Sequence, residues 1–234
     1  MKKDIILVGA SDTADRLISF IEHYDLYNVK GCAVNQRYIE NGQDQVILAG
    51  APRKLFPLED IDNYRDTNTL FFVALFWNRL NADRREVFHK VKEQNLPIAN
   101  IISPRASIRG DIGTGCYIAD FAIMQEHSVL GDDVWLMDGA FIGHKSEVKA
   151  HAFCAVRSVI MGACEIGTQS FIGVSSTIFD EVKIGDKCLV GASTIVKRNL
   201  PPYSVIKTSN SDNIIKQYTE DTIENKWLAH HNVR

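Results

Sequence analysis

The chain has 234 residues, of which 45% are hydrophobic and 24% charged, and its formal net charge at pH 7 is -3. This length and balance predict a folded protein of one or two domains, and they give no support to nucleic-acid binding, which favours a basic surface. No stretch is long and apolar enough to insert into a membrane, and residues 1–5 predict a short strand rather than a signal peptide.

The first hundred residues alternate predicted strands with predicted helices. The run Ile5–Val8 reads as a buried strand, and Gly9–Asp12 reads as a turn that an amphipathic helix follows. Alternation of this kind predicts a Rossmann-like parallel sheet with helices on its faces. The further predicted elements are strands near Val29–Val34, Leu70–Leu75 and Ile98–Ile102, and a helix from about Ala82 to Glu93.

The turn at Gly9–Asp12 is the first candidate binding site. A strand, a small-residue turn and a helix N-terminus together form a natural phosphate or nucleotide site. The turn contains a single glycine, Gly9, and Ser11 or Asp12 can cap the helix. A tight turn that serves only packing is the alternative, and the residues alone leave both interpretations open.

From Ile112 to Leu200 the chain is built of consecutive six-residue units. The first position of each unit is aliphatic, methionine or cysteine, and the position four residues further on is small in nearly every unit. A period of six matches neither a helix nor a simple strand, and it is the sequence signature of a parallel β-helix. The first positions are Ile112, Ile118, Met124, Leu130, Leu136, Ile142, Val148, Cys154, Ile160, Ile166, Ile172, Ile178, Ile184, Val190 and Val196.

The cysteines fit the interior of such a coil. Cys116, Cys164 and Cys188 occupy the small position, and Cys154 occupies the aliphatic position. They are expected to be small buried hydrophobes, and their spacing is not that of a zinc site. Unpaired buried cysteines favour a reducing compartment, and we expect a cytoplasmic protein without a metal.

Three domains are expected from these patterns. Residues 1–103 form an α/β domain, residues 104–203 form the β-helix, and residues 204–234 form a tail. A helix is predicted over residues 212–230, covering the last coil. Its apolar positions are Ile214, Ile215, Tyr218, Ile223 and Trp227.

The six-residue repeat converts sequence spacing into neighbours. Three units make one coil, so residues 18 apart are stacked about 4.8 Å apart. This places Glu126 and Gly162 directly beside His144, at an outward-facing corner. A histidine beside a carboxylate is suited to act as a general base, and the Gly162 N–H could bind a developing oxyanion. A solvated histidine on a polar edge is the alternative.

Several motifs together resemble one known family. The chain is similar, over about residues 3–206, to the hexapeptide-repeat sugar acyltransferases of the sialic acid O-acetyltransferase and bacillosamine N-acetyltransferase group. The order and spacing of the motifs are more specific than any one of them. The motifs are Ile6–Ala10, Leu48–Pro52, Pro57–Ile61, Arg84–Phe88, Ile101–Ile108, Ile142–His144 and Val190–Ala192.

The resemblance implies a fold, an assembly and a reaction. The β-helix is left-handed, three copies form a homotrimer, and acetyl-CoA lies in the cleft between neighbouring coils. His144 matches the family's catalytic base, and the Gly162 N–H faces the acetyl carbonyl. Gly173, Gly191 and Ala192 lie along the pantetheine arm, and Lys197 approaches the CoA phosphates.

The same resemblance assigns the sugar nucleotide to the N-terminal domain, at Gly9, Ser11, Asp12 and Asn35. The chain departs from the family at Asn35, where an acidic residue is usual. It departs again at Lys145, often acidic, and at Phe153, which corresponds to a second histidine in some members. If the base needs a carboxylate, Glu126 must supply it.

The sequence therefore predicts an acyl-CoA-dependent acyltransferase that N-acetylates a nucleotide-linked aminosugar for a bacterial surface glycan. Transfer is direct, without a serine or cysteine nucleophile. One alternative is O-acetylation of a sugar hydroxyl, as on a sialic acid. The other is a non-catalytic trimeric binding or scaffold protein.

Overall fold

A computed structural model describes residues 2–39, 44–209 and 212–226, and the chain forms two compact units. The first unit comprises residues 1–76 and 86–101, and the second comprises residues 77–85 and 102–234. The sequence-based division after residue 103 assigns residues 77–85 to the first domain, whereas the structure assigns them to the second unit.

The first unit is built around a five-stranded sheet of order β3-β4-β2-β1-β5. Its strands are parallel except for β3, which runs antiparallel to β4. Gln36–Tyr38 and Leu58–Tyr64 are 3-10 turns. The elements are β1 (Asp4–Val8), α1 (Asp12–His23), β2 (Asn28–Val34), β3 (Gln45–Leu48), β4 (Ala51–Pro57), β5 (Thr69–Val73) and α2 (Ala82–Glu93).

Two features of this sheet correct the expectations. The hairpin β3–β4 was not predicted: Ala49 and Gly50 both have positive φ, +50° and +72°, as a type I′ turn requires. The predicted strand Ile98–Ile102 is not one strand. Ile98 forms only an isolated bridge to Phe71, and Ile101–Ile102 forms a separate two-residue strand, β6.

The second unit is a stack of two-residue strands, one for each six-residue unit. Residues pair in register with residues 18 further on, as Phe141 does with Val159. The pairing confirms the predicted coil. The strands after β6 are β7 (Ser107–Ile108), β8 (Asp111–Ile112), β9 (Tyr117–Ile118), β10 (Ile123–Met124), β11 (Val129–Leu130), β12 (Trp135–Leu136), β13 (Phe141–Ile142), β14 (Glu147–Val148), β15 (Phe153–Cys154), β16 (Val159–Ile160), β17 (Glu165–Ile166), β18 (Phe171–Ile172), β19 (Thr177–Ile178), β20 (Lys183–Ile184), β21 (Leu189–Val190) and β22 (Ile195–Val196).

The second residue of each short strand points into a continuous interior, where the predicted aliphatic positions are packed. The first residue points outward and gives each of the three sheets its own character. The apolar face, which we define by Ile123, Phe141, Val159, Thr177 and Ile195, lies on the sheet β22-β19-β16-β13-β10-β7. Ile195 is 47% exposed and Ile123 is 37% exposed.

The other two faces differ from the apolar face. The charged face carries Asp111, Glu147, Glu165 and Lys183 among its outward residues. The aromatic face carries Tyr117, Trp135, Phe153 and Phe171, whose rings form a ladder. Trp135 and Phe153 in this ladder are almost fully buried.

The C-terminal prediction was partly wrong. Residues 212–217 form strand β24 (Asp212–Gln217), antiparallel to β23 (Ser204–Ser209), and only α3 (Glu220–Lys226) is helical. Strand β23 extends the sheet of the aromatic face and offers an unpaired edge to residues 212–217. Pairing with this edge competes with helix formation, which requires a costly nucleus. Ile223 packs with Leu80 and Val205 as a cover of the coil. Trp227 and the rest of the predicted helix lie outside the described residues.

None of the helices within the described ranges has the length and apolar character that a bilayer crossing requires.

Candidate active site

The corner that follows β13 carries the candidate base. His144 and Lys145 turn the chain there, with Lys145 in the left-handed region at φ +57°. The Lys145 N–H donates to the carbonyl of Glu126 at 3.1 Å, and the Ala163 N–H donates to the carbonyl of His144 at 2.8 Å. These bonds confirm that residues 126, 144 and 162 are stacked, as the 18-residue coil predicts.

The imidazole of His144 lies directly over Gly162. A Cβ atom at residue 162 would lie 2.4 Å from Cε1 of the ring and 2.9 Å from Nδ1, which is closer than real Cβ atoms approach. The ring can occupy this place only because residue 162 has no side chain. His144 is exposed, and its imidazole has no hydrogen bond to any part of the chain that the structure describes.

The Gly162 N–H, the expected oxyanion donor, already has an acceptor. It donates to the Asp180 carboxylate at 2.9 Å. Asp132 and Asp186 cap the Thr114 and Thr168 N–H groups in the same way, 18 residues back. The contact is thus a recurrent corner cap. An acyl oxygen can use the Gly162 N–H only if the Asp180 carboxylate moves.

The carboxylate of Glu126 is also engaged. Its Oε1 atom lies 2.9 Å from a terminal nitrogen of Arg109, and both side chains are about half exposed. The side chain that contacts the backbone of His144 is that of Gln125, whose Oε1 accepts the His144 N–H at 3.0 Å. Glu126 lies in the predicted column. Its role in orienting His144 stays a prediction, and it requires the ion pair between Glu126 and Arg109 to break.

Replacing Gly162 by alanine is expected to displace the His144 ring. The new Cβ would overlap the ring, and a shift of about 1 Å in a catalytic group costs about 10²-fold in rate. Turnover should fall by that factor, while the melting temperature changes little because the flexible ring can rotate away. Steady-state rates and circular dichroism measure the two effects.

Asp180→Ala separates the two roles of Gly162. It frees the N–H without touching the ring position, so turnover should hold or rise if that N–H binds the acyl oxygen. Full activity in Gly162→Ala would contradict the importance of the ring position.

The residues expected along CoA lie at two corners. Lys197 belongs to the corner column that contains Gly143, and its Nζ atom lies 5.4 Å from the centre of the Phe179 ring. Gly173, Gly191 and Ala192 lie at the corner that precedes the apolar face. The N–H groups of the two glycines donate to the carbonyls of Val190 and Ile206. Within one chain the apolar face separates Gly173, Gly191 and Ala192 from His144, whereas Lys197 lies at the same corner as His144.

The first unit contains a cavity of about 490 Å³ at the carboxyl ends of β1 and β2. Of the residues predicted to bind the sugar nucleotide, Gly9, Ser11 and Asn35 line this cavity and Asp12 does not, and their role in binding stays a prediction. Gly9 has φ +117°, and a Cβ there would lie 3.0 Å from the carbonyl oxygen of Ala74. The remaining walls are mostly aliphatic, and among the residues that the structure describes no lysine or arginine lines the cavity.

Sequence reasoning missed a buried charged cluster within the second unit. The Nε atom of Arg84 lies 3.0 Å from both carboxylate oxygens of Asp133, and the guanidinium lies over the Trp135 ring at 4.9 Å. The Nδ1 atom of His151 lies 2.9 Å from Asp133. His151 is therefore structural. The 18-residue spacing of Asp133 and His151 is visible in the sequence. Arg84 begins one of the motifs that carry the resemblance, but nothing in the sequence paired it with Asp133.

Phe153, the expected counterpart of an acyl-contacting histidine, belongs to the same buried region. Its ring stacks on Phe171 with centroids 5.2 Å apart. The substitution is thus explained by packing on the aromatic face.

The cysteines are confirmed as buried thiols. Burial raises the pKa of Cys116 and of Cys154 to about 12, so both stay protonated and non-nucleophilic. In the described ranges no three histidine, cysteine or carboxylate side chains are grouped as a metal site would need.

Comparison with solved structures identifies the fold. A histidine-to-asparagine variant of perosamine N-acetyltransferase from Caulobacter crescentus, in complex with CoA and GDP-perosamine, matches with a TM-score of 0.78 at 20% identity, over 92% of this chain and 97% of that one. The acetyltransferase domain of PglB from Neisseria gonorrhoeae matches with 0.77 at 18% identity, over 91% and 100%. WeeI from Acinetobacter baumannii matches with 0.74 at 13% identity, over 90% and 99%.

These likenesses establish an α/β domain joined to a left-handed parallel β-helix, the fold expected from the sequence. No family model matches the chain, and no curated protein matches it.

Proposed function

We propose that this protein is an acyl-CoA-dependent acyltransferase that N-acetylates a nucleotide-linked aminosugar, with His144 as the general base. The observation that carries the proposal is the exposed, uncommitted imidazole of His144, held over Gly162 at a corner of the β-helix. The amine attacks the thioester carbonyl, the C–N bond forms and the C–S bond breaks. The proton passes from the amine to His144 and then to the leaving thiolate.

The named structural relatives support this reaction class. Two of the three are called acetyltransferases, and one is held in complex with CoA and a GDP-linked sugar. We assign the CoA arm to Gly173, Gly191 and Ala192, its phosphates to Lys197, and the nucleotide of the acceptor to the cavity at Gly9, Ser11 and Asn35. Such a cavity at the carboxyl ends of parallel strands is where ligands bind in α/β sheets.

We further propose a homotrimer packed through the apolar face. Ile123, Phe141 and Ile195 expose apolar side chains along one face of a charged protein, which marks an interaction surface. The face has the His144 corner on one border and the Gly173–Ala192 corner on the other. A second copy on this face supplies Gly173, Gly191 and Ala192, which a single chain holds apart from the base, whereas Lys197 comes from the chain that carries His144.

Phe141→Arg is expected to dissociate the trimer. A guanidinium in the centre of an apolar interface loses its hydration without a partner, so the molar mass from light scattering should fall threefold. Glu147→Arg is the matched control, because Glu147 is the first residue of the next strand and lies on the charged face. A trimer that survives Phe141→Arg would place the interface elsewhere.

Acceptor identity is tested by CoA release. The protein is incubated with acetyl-CoA, a thiol reagent and a panel of UDP-, dTDP- and GDP-linked 4-aminosugars, and release with one of them supports N-acetylation. Release only with hydroxyl acceptors supports an O-acetyltransferase. If no acceptor and no acyl donor gives CoA release, and calorimetry detects no CoA binding, the non-catalytic alternative is supported. We place the reaction in the cytoplasm, since all the cysteines are unpaired.

A further inference from the structure

A second cavity lies against the five-stranded sheet of the first unit. Its volume is about 450 Å³, within the range of ligand sites, and its walls include Ile6 from the middle of β1 and Thr69 from the start of β5. Among the described residues, none that lines it also lines the cavity at Gly9. The remaining lining residues are Lys30, Lys54, Phe56, Asn63, Tyr64, Arg65 and Asp66.

Three cations from different elements converge on this cavity. Lys30 lies on β2, Lys54 on β4, and Arg65 directly after the 3-10 turn Leu58–Tyr64. Lys30 is paired with Asp4, 3.1 Å away. Over the ranges 2–39, 44–209 and 212–226, neither Lys54 nor Arg65 has a carboxylate partner: Lys54 lies over the Phe56 ring, and Arg65 donates to a backbone carbonyl.

Asp66, the one carboxylate among the described lining residues, is hydrogen-bonded to the backbone. The Oδ1 atom of Asp66 accepts the N–H groups of Asn68 at 2.8 Å and Thr69 at 2.6 Å. Hydrogen bonds from Thr69 and Asn68 lower the pKa of Asp66. The negative charge of Asp66 is thus partly balanced by these N–H donors. Lys54 and Arg65, which have no carboxylate partner in the described ranges, face the cavity.

The two lysines lie on the neighbouring strands β2 and β4 and line the same cavity. Lys54 is opposite Gly31, the residue next to Lys30. A Cβ on Gly31 would lie 2.2 Å from the carbonyl oxygen of Lys54, so only glycine permits this approach. Like charges on neighbouring strands are destabilising, and an anion between them removes that cost.

We propose that this cavity is a separate ligand site that binds a phosphate group carried on a flat ring, the chemistry of a small phosphorylated aromatic molecule or a nucleotide. Lys54, Arg65 and Lys30 bind the phosphate. The Phe56 and Tyr64 rings, with centroids 4.5 Å apart, form the apolar wall for the attached ring. The site stands independently of the acyltransferase assignment, because none of its residues belongs to the proposed reaction.

The test uses the full-length protein with inorganic phosphate and phenyl phosphate as probes. Both should raise the melting temperature and bind in calorimetry, with affinity that falls as salt rises. Phenyl phosphate should bind more tightly than inorganic phosphate, because only it reaches the aromatic wall.

Lys54→Met is the decisive variant, since methionine keeps the contact with the Phe56 ring and removes the charge. Binding of both probes should weaken at least ~10-fold, and in phosphate-free buffer the variant should melt at the same temperature as the wild type or higher. Arg65→Gln should also weaken binding, whereas Lys3→Met, on an exposed lysine outside the cavity, should not. Equal affinity in Lys54→Met and wild type, or no binding to the wild type, overturns the proposal.

Discussion

His144→Ala is expected to lower turnover at least ~100-fold, the range for losing a general base. The stack beneath the ring should persist, because the bonds among residues 126, 144, 162 and 180 are made by backbone groups and by Asp180 rather than by the imidazole. The variant should therefore keep its melting temperature and its oligomeric state. Initial rates of CoA release with saturating donor measure the effect.

His127→Ala provides the matched control. His127 is also an exposed corner histidine, one coil earlier in the column of Lys145, with φ +60°. Its loss should leave turnover near that of the wild type. Equal losses in the two variants would indicate a general electrostatic role of this corner, and near-normal rates in His144→Ala would remove the residue from the mechanism.

Asp133→Asn is expected to destabilise the second unit by about 3–5 kcal/mol, the cost of leaving a buried charge without its partner. Arg84 and Asp133 are both fully buried, so water cannot replace the lost carboxylate. Asparagine tolerates the left-handed conformation of residue 133, at φ +55°, so the effect reports the charge rather than backbone strain. Thermal unfolding by circular dichroism measures it, at about 2–4 °C per kcal/mol for a protein of this size.

Two variants check the cause. Asp132→Asn changes the neighbouring, half-buried carboxylate and retains an oxygen that can cap Thr114, so it should cost little. Arg84→Met in the Asp133→Asn background removes the stranded cation and should recover part of the loss. If the double variant is less stable than Asp133→Asn, the unpaired charge is not the reason.

The β-helix was predictable because its periodicity is local. Each unit repeats the same interior position, and the distance from Ile142 to Ile160 in sequence fixes their contact in space. Asp180 was within reach of the same reasoning, since it is one further coil from Gly162. Arg84 was not, because its partners Asp133 and His151 are supplied by tertiary contacts that leave no periodic trace.

The two mispredicted segments, residues 212–217 and the β3–β4 hairpin, have a common cause. Their local sequence gives a weak signal, and strand pairing determines their structure. The apolar positions in residues 212–217 are compatible with a helix as well as with a strand. Hydrogen bonding to the edge of β23 makes this segment a strand. The hairpin turn reads Ala49-Gly50 rather than Asn-Gly, so its signal was weak. The Asp15 carboxylate stabilises the turn by accepting the Ala49 N–H at 2.7 Å, a contact invisible in sequence.

Neighbours in the coil are separated by a fixed count of residues, and this makes the molecule sensitive to insertions in an unusual way. One extra residue between positions 145 and 161 would rotate every later side chain out of the interior, yet an insertion of a complete turn of the coil would preserve all inward and outward assignments. In such a lengthened chain His144 would lie over a residue other than Gly162, while the hydrophobic interior would be preserved. The interior therefore tolerates changes of length in whole turns, whereas the contact of His144 with Gly162 does not tolerate a turn inserted between them.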